Sequence, residues 1–173
     1  KPYSLIEHDK NHIQDKNIFF IFVLNLVHLK MLSNSSKYAI KAVLFLALHS
    51  SEENKVIVKD ISKPINVPQA YIAKLLQELV KAKIVTSVRG PKGGFYLNET
   101  NLAHSIMSIV NVIDGEKKLN SCMMSLEECN EEKPCPLHNA LSSSRNQILK
   151  KLRSKTIKDV VKEVKLGNAF LPL

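Results

Sequence analysis

The residues Ile72, Leu75, Leu76, Leu79 and Val80 fall at i, i+3, i+4, i+7 and i+8, the spacing of one buried helix face. No other stretch restricts the fold as tightly. Pro68 suits the first turn of this helix, where its missing N–H has no partner to lose. The opposite face carries Gln69, Ala73, Lys74, Gln77 and Lys81, which are polar, basic or small. After it, the strand-like runs Ile84 to Val88 and Phe95 to Leu97 flank Arg89-Gly-Pro-Lys-Gly-Gly94. A Gly-Gly turn between two such runs predicts a hairpin.

Upstream, the serines between Ser33 and Ser36 offer N-caps for a helix whose apolar positions are Ala39, Ala42, Val43, Leu46 and Ala47. Val56 to Val58 form a β-branched run suited to a sheet edge, and a helix of one or two turns follows over Asp60 to Ile65, limited by Pro64. Helix, helix and basic-tipped hairpin, in that order, are the sequence of a winged helix-turn-helix. The second helix of such a pair enters the major groove, and the hairpin tip lies near a phosphate or the minor groove. Gln69, Tyr71 and Lys74 are therefore the candidate base or phosphate contacts, with Arg89, Lys92 and Gly93 at the wing.

Charge supports the same partner. The chain of 173 residues carries a formal +9, concentrated in two blocks. Residues 55 to 92 hold eight Lys or Arg against two acids, as do residues 145 to 165. Such blocks point to a polyanion, most simply double-stranded DNA. No nucleotide-binding loop or catalytic dyad is present, so enzymatic chemistry is not expected.

Ile106, Ile109, Val110 and Ile113 predict a further helix that ends at Asp114-Gly115. Leu137, Leu141, Ser144, Ile148 and Leu152 form a narrow stripe on an otherwise polar helix, the pattern of a seam against a partner helix. This predicts a homodimer, which suits a reader of two half-sites. Thr156 and Asp159 form a capping box before a last helix with Ile157, Val160, Val161 and Val164. The expected fold is mainly α: a winged helix-turn-helix DNA-binding domain with a two-stranded wing over 31–100, then a cysteine loop and a long C-terminal dimerisation helix over 101–173. Residues 1–30 are expected to be a leader outside the fold. Their apolar run, Ile18 to Leu29, is short of the ~20 residues a membrane helix needs, and no membrane partner is expected.

All three cysteines, Cys122, Cys129 and Cys135, fall in one window, and His138 follows three residues later. An odd number in one short window makes no disulfide framework and suits a reducing compartment, the cytoplasm. Thiolates select zinc, copper or iron–sulfur clusters. The Cys-x6-Cys-x5-Cys spacing contains no Cys-x2-Cys zinc knuckle. Wide spacing with Pro134 and Pro136 suits a loop around something larger than one ion, such as a [2Fe-2S] or [4Fe-4S] cluster, whose iron also accepts histidine. The alternatives are a zinc-stabilised interaction module and free thiols that respond directly.

These motifs resemble the Rrf2 family of winged-helix regulators. The resemblance runs from Met31 to about Leu166. It is carried by Tyr38-Ala39 after the serine-rich start, Ala70-Tyr-Ile-Ala-Lys-Leu-Leu76, Ile84-Val-Thr-Ser-Val-Arg-Gly-Pro-Lys-Gly-Gly94, and the cysteine trio closing in Cys135-Pro-Leu-His138. It implies a dimeric DNA-binding transcription factor whose cluster reports iron–sulfur status, oxidants or nitric oxide. Cys122, Cys129 and Cys135 fall on the family's ligand cysteines, and His138 on the histidine that serves some members. Other members use a carboxylate just before the first helix's tyrosine, where this chain has Lys37, so His138 is favoured. Ala73 replaces a glutamate that some members use to choose between DNA sites, and the first cysteine spacing is one residue longer than the usual pattern.

Overall fold

The computed structural model describes residues 32–115 and 132–173, which lie within one compact unit, Leu32–Leu173. The leader expected over 1–30, Cys122 and Cys129 lie outside the described residues.

Helix α1, Asn34–His49, starts where Ser33 accepts a hydrogen bond from the Ser36 backbone N–H through its side chain (3.0 Å), satisfying one of the donors a helix start leaves open. It ends at Ser50. Helix α2, Val58–Ile65, is short as Pro64 requires and closes on Asn66 in the left-handed region (φ 57°), a conformation that asparagine tolerates. The turn from Asn66 to Pro68 leads into α3, Gln69–Lys81. Pro68 is the N-cap rather than a first-turn residue, a shift of one position of the kind that helix ends commonly show. Four of the five apolar template positions, Ile72, Leu75, Leu76 and Leu79, are buried, and Val80 is half-buried.

Strands β1, Thr86–Val88, and β2, Gly94–Tyr96, pair antiparallel with Ser87 opposite Phe95. They are shorter than the apolar runs from which they were read. Ile84, 2% exposed, and Val85, also 2% exposed, precede the ladder and serve the core instead. The Val56 to Val58 run divides: Val56 exchanges two backbone hydrogen bonds with Phe95 (2.9 and 2.8 Å), while Val58 opens α2.

Among the described residues three helices follow: α4, Glu99–Leu102, α5, Ile106–Asp114, and α6, His138–Ser154. Helix α7, Ile157–Lys165, begins on the Thr156/Asp159 capping box. Backbone bonds from Ile106 N–H to Lys155 O and from Ile157 N–H to His104 O, both 2.9 Å, pin the starts of α5 and α7 together. The main core is aliphatic and runs through α1, α2, α3, α5 and α7, with Leu46, Ile61, Ile72, Leu76, Ile109 and Ile157 fully buried. A second small cluster joins Met107 and Val110 of α5 to Leu149 of α6. On α6, Leu149 is buried and Leu152 half-buried, while Ile148 is 36% exposed. The stripe read from the sequence therefore splits, with Leu152 turned toward this chain's own core.

Candidate nucleic-acid interface and cysteine segment

Burying Ile72, Leu75, Leu76 and Leu79 leaves the opposite side of α3 in solvent, because a helix repeats every 3.6 residues. Gln69, Lys74, Gln77 and Lys81 are exposed there, and Tyr71 is 37% exposed. The hairpin places Arg89 and Lys92 in solvent at the tip. Its closure depends on glycine. Gly90 has φ 109°, a Cβ on Gly93 would meet the Val88 carbonyl oxygen at 2.3 Å, and one on Gly94 would meet the Val56 oxygen at 2.8 Å. Only glycine lets the backbone approach this closely.

Helix and wing are not separate surfaces. A groove of about 650 Å³ runs between them, lined by Gln77, Val80 and Lys81 from α3, Ser87 to Gly90, Gly93 and Phe95 from the wing, and Ile57 and Val58 at the start of α2. Gln77, Lys81 and Ser87 were not singled out as site residues in the sequence. The periodicity of α3 signalled that Gln77 and Lys81 are solvent-facing, but only the folding of the wing beside them makes them groove walls. Lys81 and Arg89 thus share a concave surface with a positive rim, where field lines from like charges reinforce one another.

Tyr71 differs from its neighbours on α3. Its hydroxyl lies 2.6 Å from Ser35 Oγ, and its ring meets Tyr38 edge-on at a 6.2 Å centroid distance and 85°.

Of the four expected ligands, Cys135 and His138 lie among the described residues. Cys135 is half-buried, is in no disulfide, and accepts through its carbonyl from the His138 backbone N–H (2.9 Å). Cys135 thus stands two residues before Leu137, the N-cap of α6. Among the described residues no group of three or more His, Cys, Asp or Glu side chains is assembled for a metal. The donor types themselves, three thiols and an imidazole within 17 residues of chain, fit the soft-ligand chemistry of an iron–sulfur centre.

A helix-turn-helix with a basic outer face, packed beside a glycine-closed basic hairpin, defines a DNA-binding regulator of the winged-helix class. The family model for Rrf2, the iron-dependent transcriptional regulators, matches residues 32–163, and the chain belongs to that family. It is 31% identical over 131 residues to an HTH-type transcriptional regulator of Aquifex aeolicus, spanning 75% of this chain and 90% of that relative. It is 36% identical over 91 residues to the HTH-type transcriptional regulator IscR of Vibrio cholerae, spanning 53% of this chain and 52% of that protein. Among solved structures it shares its fold with CymR, the global cysteine regulator of B. subtilis, with a TM-score of 0.62 at 23% identity over 76% of this chain and 95% of that one. These relatives are regulators of transcription, not enzymes. Among the described residues no helix is long and apolar enough to cross a membrane.

Proposed function

We propose that the chain is a homodimeric cytoplasmic transcription factor that reads a double-stranded DNA operator and senses iron–sulfur status, redox state or nitric oxide. Gln69 and Lys74 of α3 meet base edges or phosphates, with Tyr71 beside them, while Arg89, Lys92 and the backbone at Gly93 hold the flanking strand. The observation that carries this reading is the groove that Lys81 of α3 shares with Arg89 and Gly93 of the wing, with Gln69, Tyr71, Lys74 and Lys92 exposed outside it. Phosphate neutralisation by Lys and Arg releases counterions and supplies most non-specific affinity. Base-edge contacts from α3 supply the sequence preference.

Cys122, Cys129, Cys135 and His138 are the residues that would hold an iron–sulfur cluster. When bound, such a group supplies a change of charge and ligation on oxidation or nitrosylation. The chain's own contribution is placement: His138 opens α6, Cys135 lies three residues before it, and in the chain the cysteine segment lies between α5 and α6. Ligation of these side chains to one centre would tie the end of α5 to the start of α6. Binding then shifts a population between two arrangements of the reading helices in the dimer.

One experiment tests both halves. Protein purified anaerobically is expected to be coloured, with iron and sulfide in the preparation, and Cys129→Ala is expected to be colourless. On a duplex selected from a randomised library, Lys74→Gln and Arg89→Gln are each expected to lower the slope of log affinity against log salt by about 0.9. Colourless zinc protein would favour the structural-metal alternative, and metal-free protein with an oxidant response the direct thiol one. An unchanged salt slope in both lysine and arginine variants would remove α3 and the wing as the DNA surface.

A further inference from the structure

We infer that Tyr71 is a positioning residue, whose bond to Ser35 and edge contact with Tyr38 fix the first turn of the reading helix against the first turn of α1. This inference rests on the reading of α3 as the DNA-contacting helix.

The geometry gives Tyr71 two partners on one element. Its hydroxyl is 2.6 Å from Ser35 Oγ and its ring packs edge-on against Tyr38, both within the first five residues of α1. Edge-to-face packing at this separation is a favoured aromatic arrangement and orients the ring. A short hydroxyl–hydroxyl bond directs the other end. The first turn of α3 has no side-chain cap of its own, because Pro68 stands at its N-cap, so its anchor comes from elsewhere.

The first turn of α1 is a fixed reference for that anchor. Ser33 caps it through its side chain, and the Ser33 backbone N–H donates to the Asp114 carboxylate at the end of α5 (3.1 Å). From Asp114 through Ser33 to Ser35 and Tyr71, two hydrogen bonds joined by the backbone of the first turn of α1 link the end of α5 to the start of α3. Gln69 and Lys74 flank Tyr71 on the same helix, so a small rotation of this turn moves both. Base-edge hydrogen bonds tolerate little misplacement. The placement of Tyr71 therefore bears on discrimination more than on bulk attraction.

The test uses the full chain, the selected duplex and a scrambled duplex of equal length. Tyr71→Phe and Ser35→Ala are each expected to weaken binding to the selected duplex about three- to tenfold, the scale of one hydrogen bond. The double variant should be no weaker than either single, since both remove the same contact. Binding to the scrambled duplex and the salt slope should not change, and Ser35→Thr, which retains a hydroxyl, should bind like wild type. A loss in Tyr71→Phe with wild-type affinity in Ser35→Ala overturns the inference, because the tyrosine hydroxyl then meets DNA itself. Wild-type affinity in both singles overturns it equally. If Lys74→Gln also binds both duplexes like wild type, what fails is the assignment of α3 as the reading helix.

Discussion

Asn101 lies 4% exposed in a one-turn helix, and its side chain closes the base of the wing. Its amide donates to the Lys83 carbonyl (2.8 Å) and its carbonyl oxygen accepts from Thr86 Oγ1 (2.9 Å) and the Asn98 backbone N–H (3.0 Å). Lys83, with φ 61°, occupies a conformation that costs a non-glycine residue energy, so its carbonyl is held from outside. Asn101→Ala strands these groups and is expected to lower stability by about 2–3 kcal/mol in urea unfolding. Two of these partners, Lys83 and Thr86, are 18 and 15 residues away in the chain, so the local sequence Asn98-Glu-Thr-Asn101 gives no sign of the burial. Asp159, by contrast, was legible as a cap. Backbone and side-chain hydrogen bonds from Thr156 hold its carboxyl below the usual carboxylate range. A group whose pKa is lowered on folding stabilises above its unfolded value and loses that contribution as pH falls through the folded one. Asp159→Asn should therefore melt below wild type at neutral pH, with the gap narrowing as the pH falls below the ordinary aspartate range.

At the scale of elements, helix α3 was the most legible part of the chain, because its period and its burial coincide. Helix α6 was less so. Ile148, Leu149 and Leu152 lie on adjacent stripes of one helix, and periodicity alone does not say which stripe meets this chain. Packing decides it: Leu149, 4% exposed, sits against Met107 and Val110, and Ile148 stays open. Leu149→Ala removes the one buried side chain by which α6 joins this small cluster. The expected cost is about 2–4 kcal/mol, and hydrogen exchange over α6 should accelerate while α3 retains its protection. The strands show the opposite limit. Their apolar runs were longer than their ladders because Ile84 and Val85 are apolar for the core, not for the sheet.

For the whole molecule, one aliphatic core links the helix-turn-helix to α5 and α7, so α3 and the end of α5 share a single packed body. Close packing transmits small displacements rather than absorbing them. The open Ile148 of α6 is the position at which the expected homodimer can be tested. Ile148→Asp should leave the monomer fold intact by circular dichroism, because the residue is 36% exposed, yet convert a dimer to monomer in sedimentation velocity. A wild-type chain that sediments as a monomer at micromolar concentration would remove the seam reading. Helical period, proline and glycine positions, capping residues and charge blocks are local or additive properties, and from them the sequence by itself determined the helix-turn-helix, the hairpin, the polyanionic class of partner and the cysteine segment as a ligand candidate. Which lysine shares a groove with which arginine, why Tyr71 faces α1, and which stripe of α6 is spent on its own core were decided only by the tertiary structure, since each depends on residues brought together from distant parts of the chain.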